Sequence, residues 1–381
     1  MRKKIVVVSI ILLAAVLLSG CTGSIAWPGL SATDEVAYLA NTRSVLAIDL
    51  KTHKELWSFA GEKSSGFSFG KSPNLFITNP VITENGFVII LDSSNRHVMY
   101  AVDPKDFNAA DKSPTPKIEW KFGAAKGLWI AQPLIVENRL FAPNSDGNVY
   151  VLDLADDKSE KQAVKVIRVS DSSADASRLW GQPVTDGKRV FVTSLDKSVI
   201  AIDIETYDIL WHEDLGGAVP GGAALGADGM LYVGSLAKQL ERFDPATGKH
   251  APVLDTHGWI WGTPVADGDN LYFGDVDGYL YSFNTKEQKQ NWEPVKPDAT
   301  ITASALVKED HVLIPTESGD VYSVGKDGSI EMWYQLAGKG KAYTTPVSAG
   351  DLVLVAFLES DYYLVALDDQ GKEQWKFPPG N

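Results

Sequence analysis

The feature that most constrains the fold of this chain is a 41-residue unit that recurs from residue 28 onward. In the unit that contains Pro183, Asp203 and Trp211, a proline opens a β-rich run, an acidic residue closes a second alternating run, and a tryptophan follows. The acidic position follows the opening position by 20 residues, the tryptophan follows 8 residues later, and the next unit opens 13 residues after the tryptophan. Each of these spacings occurs four times in the chain if units with a different residue at one of the positions are included. A fixed period of this length is typical of repeat architectures. The eight opening positions are Pro28, Pro80, Pro133, Pro183, Ala224, Pro264, Ala305 and Pro346.

The hydrophobic pattern inside each unit has a period of two, which predicts β-strands. Between Asn270 and Asn284, two alternating runs are joined by a turn at Asp277-Gly278. With the proline-led and tryptophan-ended runs, each unit supplies four short antiparallel strands, as propeller blades do. We therefore predict an all-β fold, a single eight-bladed β-propeller of four-stranded antiparallel blades over residues 27–377, with a C-terminal tail at 378–381. Insertions at 61–78, 104–118 and 154–178 are rich in Ser, Lys, Asp and Pro, and we interpret them as surface loops.

The N-terminus has the pattern of a bacterial export signal. Basic residues at positions 2–4 precede an apolar run at 5–18 that is short for a membrane-spanning helix. Leu18-Ser19-Gly20-Cys21 follows and resembles the lipobox of bacterial lipoproteins. The resemblance implies that residues 1–20 are a cleaved signal peptide, that Cys21 is lipidated, and that 21–26 form a tether. The alternative is a plain cleaved signal followed by an unrelated cysteine.

Six of the eleven tryptophans share one position at the end of a unit. Close variants of the pattern Ala-x-Asp-x-x-Thr-Gly-Lys-x-x-Trp end at Trp57 and Trp211 and, with one residue fewer, at Trp375. The pattern resembles the tryptophan-docking repeat of the pyrroloquinoline-quinone (PQQ)-type propeller family. An outer-strand tryptophan that covers the neighbouring blade buries up to about 200 Å², so we interpret this set as structural. The set is Trp57, Trp120, Trp211, Trp292, Trp333 and Trp375.

The other tryptophans, including Trp27, lie one to five residues before an opening proline. A segment that leads into the innermost strand of a blade lies at one mouth of the central channel, so we expect these rings to cluster there. They either plug the channel and pack between blades or form a binding face. Aromatic rings with polar neighbours suit an interface. The candidate mouth residues are Trp129, Gln132, Trp180, Gln182, Trp259, Trp261 and Tyr343.

Nothing in the sequence assembles into a catalytic or metal site. A single cysteine excludes a disulfide framework and a thiolate-rich zinc site, and the six histidines lack metal-binding spacing. Asp275-Val276-Asp277-Gly278 lacks the downstream glutamate of a calcium loop and is interpreted as a turn. A GxSxG string at 66–70 runs into Lys71-Ser72-Pro73 rather than a helix, so we interpret it as coincidence. We predict no catalytic residue, no metal and no cofactor.

The resemblance implies two different functions. Quinoprotein dehydrogenases place a disulfide of adjacent cysteines beside PQQ and bind calcium, whereas Cys21 is the one cysteine here. The BamB family of outer-membrane assembly lipoproteins contacts its barrel-assembly partner with loops that correspond to the mouth segments. The net charge of −14 and the isoelectric point of about 4.9 argue against a nucleic-acid partner.

We therefore predict a non-catalytic, BamB-like scaffold of the cell envelope, a monomer held to the membrane by its lipid anchor only, that binds an envelope protein partner. Thr22 follows the lipidated position where Asp would retain a lipoprotein in the inner membrane. The family rule then implies the periplasmic face of the outer membrane, or the outer face of the cytoplasmic membrane in a host with one membrane. The alternatives are a PQQ-dependent oxidoreductase and an extracytoplasmic sensor or carrier of a small ligand or peptide.

Overall fold

The computed structural model describes residues 27–62, 73–169 and 179–378. They form eight four-stranded sheets whose neighbouring strands are antiparallel, which confirms the predicted all-β, eight-bladed propeller. The predicted signal peptide, Cys21, the tether and the GxSxG string lie outside the described residues. Within the described ranges, no helix is long and apolar enough to cross a membrane.

Each blade takes four consecutive strands, so no described blade borrows a strand from a distant part of the chain. The strands of blades 1 and 2 are β1 (Gly29–Ala32), β2 (Val36–Ala40), β3 (Val45–Asp49), β4 (Glu55–Phe59), β5 (Val81–Ile82), β6 (Val88–Leu91), β7 (Met99–Asp103) and β8 (Lys117–Phe122). Those of blades 3 and 4 are β9 (Leu134–Val136), β10 (Arg139–Pro143), β11 (Asn148–Asp153), β12 (Ala163–Arg168), β13 (Val184–Thr185), β14 (Arg189–Thr193), β15 (Ser198–Asp203) and β16 (Ile209–Asp214).

The second half of the ring repeats the same order. The strands of blades 5 and 6 are β17 (Ala223–Leu225), β18 (Leu231–Gly234), β19 (Gln239–Phe243), β20 (His250–Asp255), β21 (Val265–Asp267), β22 (Asn270–Gly274), β23 (Leu280–Asn284) and β24 (Lys289–Gln290). Those of blades 7 and 8 are β25 (Leu306–Val307), β26 (His311–Pro315), β27 (Val321–Gly325), β28 (Ile330–Tyr334), β29 (Val347–Ala349), β30 (Leu352–Ala356), β31 (Leu364–Leu367) and β32 (Glu373–Phe377).

The first strand of each blade is innermost, because β13, β17, β21 and β25 contact one another in order and β1 contacts β29. The chain enters each first strand at one face of the ring and reverses direction at every turn. We call the face at which the chain enters the first strands the mouth face. It holds the segments that lead into the first strands and the turns between second and third strands. The distal face holds the other two turns of each blade. Strands of four to six residues separate the two faces by roughly 13–20 Å.

Four of the docking tryptophans sit where the outer strand pairs irregularly with the third strand. Trp57, Trp120, Trp211 and Trp375 each lie opposite an alanine, as in the pair Ala47–Trp57, and a β-bulge follows that alanine. A bulge bends its strand and turns the adjacent side chains. The small alanine and the bulge in the repeat thus account for a large ring that leaves its own sheet and covers the next blade.

Each docking tryptophan packs on the turn between the third and fourth strands of the following blade. Trp57 Nε1 donates to the carbonyl of Pro104 at 3.0 Å, and Trp211 Nε1 donates to that of Pro245 at 2.9 Å. A Cβ built on Gly248, which follows Pro245 in the same turn, would lie 2.9 Å from the Trp211 ring. Glycine adopts the φ of +74° at this position without strain, and the close approach of the ring leaves no room for a side chain.

Two seams lack a docking tryptophan and are packed from the opposite side. At the seam between blades 3 and 4, Tyr207 stands in the turn at the positive-φ position and reaches back, with its hydroxyl 3.2 Å from Arg139 Nε. At the seam between blades 5 and 6, Gln288 occupies the same turn position and donates to the Tyr232 hydroxyl at 3.0 Å. The turn position that is glycine beneath Trp211 therefore holds a long side chain at these two seams, which have no docking tryptophan.

The ring closes by side-to-side packing of blades 1 and 8. Their second and third strands share one hydrophobic cluster, and Trp375 stacks on His53 of blade 1 with ring centroids 4.9 Å apart. The Thr344 hydroxyl donates to the carbonyl of Pro28, and Gly350 N–H donates to Asp34 at 3.1 Å. Closure therefore uses the same kind of contact as the other seams.

Candidate binding site at the channel mouth

A cavity of about 490 Å³ opens at the mouth face, on the axis of the ring. All eight blades contribute to its wall through the segments that lead into their first strands. The lining residues of these segments are 27–28, 79, 130, 180–182, 220–222, 259, 261–263, 300, 302–304 and 343–345. The predicted position of the lead-in segments around the channel mouth therefore matches the structure.

The rim is built from lead-in segments packed backbone to backbone. A Cβ on Gly181 would lie 2.4 Å from the Gly221 carbonyl oxygen, one on Gly221 would lie 2.8 Å from the Gly262 backbone, and one on Gly262 would lie 3.0 Å from the Ala303 oxygen. The three glycines are 40 and 41 residues apart, so the repeat in the sequence is the signal by which this contact could have been predicted. A rim without side chains at these points holds neighbouring blades in close contact.

Short polar side chains join the same segments across blade boundaries. Gly222 N–H donates to Thr263 Oγ1 at 2.7 Å, and Thr263 N–H donates to Ser304 Oγ at 3.1 Å. The Thr193 hydroxyl donates to the carbonyl of Gly221 at 2.7 Å. Because these bonds link blades 4 to 7 in succession, this half of the rim is a hydrogen-bonded frame for the side chains that point into the cavity.

Three tryptophans form a cluster in this cavity. The ring centroid of Trp180 lies 6.0 Å from that of Trp27 and 6.3 Å from that of Trp261 in an edge-to-face arrangement. All three rings are half-buried, and Trp180 Nε1 has no hydrogen-bond partner among the described residues. Trp259, from the same segment as Trp261, is 48% exposed. The mouth thus offers apolar ring surface, whereas the indole nitrogen of Trp180 is itself buried.

A buried aspartate holds the segment that bears Trp259 and Trp261. Asp275 is fully buried and accepts hydrogen bonds from Gly258 N–H at 2.7 Å and from the Tyr281 hydroxyl at 2.8 Å. Burial raises the pKa of Tyr281, so it donates as the neutral phenol. Asp275 also accepts from the Tyr279 N–H, which closes the turn. The Asp-Val-Asp-Gly string is therefore a turn, as predicted, and one that positions two mouth tryptophans.

Glu317 is the one carboxylate that lines the cavity in the described ranges, and no lysine or arginine lines it there. Burial raises the pKa of Glu317, while the nearby Lys341 ammonium acts in the opposite direction. PQQ is a tricarboxylate anion, and carboxylates are bound by arginine or lysine. A cavity whose lining has a carboxylate and no cation does not fit that cofactor.

The predicted mouth residues divide into two groups. Trp180, Gln182, Trp259, Trp261 and Tyr343 line the cavity. Trp129 does not, which corrects the prediction: it is 0% exposed, packs edge-to-face on Tyr150, and lies in the core between blades 2 and 3.

Gln132 is also absent from the cavity wall. Its Oε1 accepts a hydrogen bond at 3.3 Å from Asn79 Nδ2 and so joins two lead-in segments. Of the two, Asn79 is the residue that lines the cavity.

Comparison with known proteins agrees with this architecture. The family model described as outer membrane protein assembly factor BamB matches residues 22–251 and, again, 196–329. A stretch of 121 residues, 31% of this chain, is 32% identical to outer membrane protein assembly factor BamB of Pseudomonas aeruginosa and spans 30% of that protein's length.

Two solved structures are similar in fold. The crystal structure of BamB from Moraxella catarrhalis matches with a TM-score of 0.58 at 16% identity, over 80% of this chain and 83% of that one. The computationally designed Ika8 protein matches with a TM-score of 0.66 at 13% identity, over 93% of this chain and 96% of that one. At these identities the likeness shows the fold alone. Because the family model covers most of its length, the chain belongs to the PQQ-like repeat family described as outer membrane protein assembly factor BamB.

Proposed function

We propose that this chain is a non-catalytic, lipid-anchored scaffold of the cell envelope that binds a protein partner at its channel mouth during outer-membrane protein assembly. The observation that supports it best is the tryptophan cluster at the mouth. Interface energy concentrates in a few aromatic anchors set in a well-packed pocket, and Trp180 and Trp261 are such rings in a rigid rim. The match to the family described as outer membrane protein assembly factor BamB supports outer-membrane protein assembly as the process.

The chemistry of the cavity favours binding over catalysis. General acid–base catalysis needs a positioned proton donor and acceptor of matched pKa. Among the described residues, no histidine, cysteine or lysine lines the wall as a partner for Glu317; Lys341 is near it but does not line the cavity. We propose Cys21 as the lipidated residue, because residues 18–21 match the lipobox pattern. We also propose that the protein acts as a monomer at the periplasmic face of the outer membrane.

Photo-crosslinking from the two faces of one blade tests the binding proposal. A photoreactive phenylalanine analogue at position 259, on the mouth face of blade 6, is compared in native membranes with the same analogue at Lys286, on the distal face of that blade. We expect a discrete adduct from position 259 that mass spectrometry identifies as a barrel-assembly protein, and none from position 286. Equal adducts from both faces, or a mouth adduct with a protein unrelated to the assembly of outer-membrane proteins, would overturn the proposal.

A further inference from the structure

The chain enters the propeller through the mouth. Trp27 precedes β1 of blade 1, yet its ring lies beside Trp180 of blade 4, three blades around the ring, so it extends over the channel axis. Two hydrogen bonds fix the backbone just after Trp27. The Thr344 hydroxyl donates to the Pro28 carbonyl, and Leu30 N–H donates to Asn79 Oδ1 at 2.9 Å. The first described residue of the chain therefore lies at the mouth face.

The proposed lipid anchor is close to this point in covalent terms. Cys21 lies six residues before Trp27. Six residues span at most about 20 Å in any conformation. Because the acyl chains must lie in the bilayer, the mouth cannot stand farther than this from the surface of the membrane that holds Cys21.

The two faces also differ in charge. On the distal face an aspartate begins the turn between the third and fourth strands in six of the eight blades, and each accepts hydrogen bonds from backbone N–H groups of its turn. These are Asp49, Asp103, Asp153, Asp203, Asp244 and Asp368.

Those hydrogen bonds lower the pKa of Asp49 and Asp203, which keeps both carboxylates ionised. The mouth face is less acidic: its lead-in segments at 215–222 and 256–264 contain no Asp, Glu, Lys or Arg, and its acidic residues, such as Asp277 and Glu317, lie in turns between second and third strands. Membranes with anionic lipids attract basic surfaces and repel acidic ones, so the distal ring of carboxylates is the face least suited to lie against such a bilayer.

From the reach of the tether and this difference in charge, we infer that the mouth face is turned toward the membrane that holds the lipid anchor. The partner of the mouth is then a membrane-embedded protein that presents its binding segment within about 20 Å of the bilayer surface, the tether's maximum reach. The inference rests on the proposed anchor at Cys21 and on the mouth as the binding face. A partner domain held farther from the membrane than the tether's reach would then not contact the tryptophan cluster.

Distance-dependent quenching tests this orientation in the full, lipidated chain. Because Cys21 is the one cysteine and its sulfur is acylated in the proposed form, an introduced cysteine is the free thiol for labelling. Gln182→Cys on the mouth face and Lys188→Cys on the distal face lie in blade 4, and both positions are exposed. Each is labelled with a fluorophore, and the protein is reconstituted into vesicles whose lipid headgroups bear a quencher. We expect quenching at position 182 to exceed that at 188 at least threefold.

A longer tether provides the matched control. Twenty Gly/Ser residues inserted after Gly23 extend the root-mean-square reach by roughly 25 Å, and the difference between positions 182 and 188 should then largely disappear. Equal quenching in the native-length protein, or stronger quenching at 188, would overturn the orientation. If the protein fails to float with vesicles and incorporates no fatty acid, the anchor itself is wrong; if it floats and 188 is nearer the lipid, the anchor stands and the orientation is wrong.

Discussion

The seams and the mouth of this propeller use tryptophan in two different ways. At a seam, a single ring such as Trp57 is fully buried between two blades and faces a turn of the next blade. At the mouth, Trp180 and Trp261 face each other, remain half-buried and border a cavity. The same side chain therefore contributes mainly to folding at one place, and at the other it leaves apolar surface available for a partner. Its surroundings, rather than its chemistry, separate the two roles.

The largest expected effect comes from removing a seam ring. We expect Trp57→Ala to lower the free energy of unfolding by about 3–5 kcal/mol, because truncating a buried tryptophan removes its contacts and leaves a cavity. Trp259→Ala is the control at the mouth; that ring is 48% exposed, and its loss should cost no more than about 0.5 kcal/mol. Denaturant unfolding of both variants measures the difference. Similar losses in the two variants would erase the distinction between seam and mouth.

A smaller effect is expected from the pH dependence of a seam tyrosine. Tyr38 packs against Trp57, and burial raises its pKa to about 12 from 10.0. Above pH 10 the unfolded chain ionises this phenol while the folded chain keeps its proton, so the stability it contributes is complete below pH 10 and is lost as the pH rises through 12. Between pH 9 and pH 12, Tyr38→Phe should therefore lose about 2 kcal/mol less stability than the parent chain. Denaturant unfolding at the two pH values measures this, and identical losses would contradict a buried phenol at this seam.

The smallest effect isolates the contact between a docking ring and its turn. Gly248 and Gly229 have the same φ of +74°, but a Cβ on Gly248 would meet the Trp211 ring whereas one on Gly229 would meet nothing within 4 Å. Both alanine variants carry the same backbone cost, so their difference reports the ring contact. We expect Gly248→Ala to be less stable than Gly229→Ala by about 1 kcal/mol, at the lower end for overpacking. Paired denaturation curves measure it, and coincident curves would mean that Trp211 does not dock tightly on the turn.

The sequence predicts the seams better than the mouth, for a physical reason. The seams follow from local register. An alanine, a turn and a tryptophan recur at fixed spacing, and they place Trp57 of blade 1 and Trp211 of blade 4 in the same way. Whether a lead-in tryptophan faces the channel depends instead on the direction of one side chain in an irregular segment. Trp129 illustrates this, since it lies four residues before its proline, within the one-to-five-residue range of the other lead-in tryptophans, but its ring lies in the core.

Two features of the site cannot be predicted from the spacing of residues in the sequence. Glu317 reaches the cavity from a turn between second and third strands, which no lead-in pattern marks. The contact between Trp27 and Trp180 joins blades 1 and 4 across the channel, so it depends on closure of the whole ring. By contrast, the glycines at 181, 221 and 262 follow the 41-residue repeat closely and were available in the sequence.

The measurement that tests the central claim most directly compares thermal stability and partner recovery in two variants. Trp211→Ala removes a seam ring, and Trp180→Ala/Trp261→Ala removes two mouth rings. We predict that the mouth variant melts above the seam variant and near the parent chain, yet recovers at least about 30-fold less partner from native membranes, the equivalent of a 2 kcal/mol interface loss. A mouth variant that melts as low as Trp211→Ala, or that recovers its partner undiminished, would contradict the account.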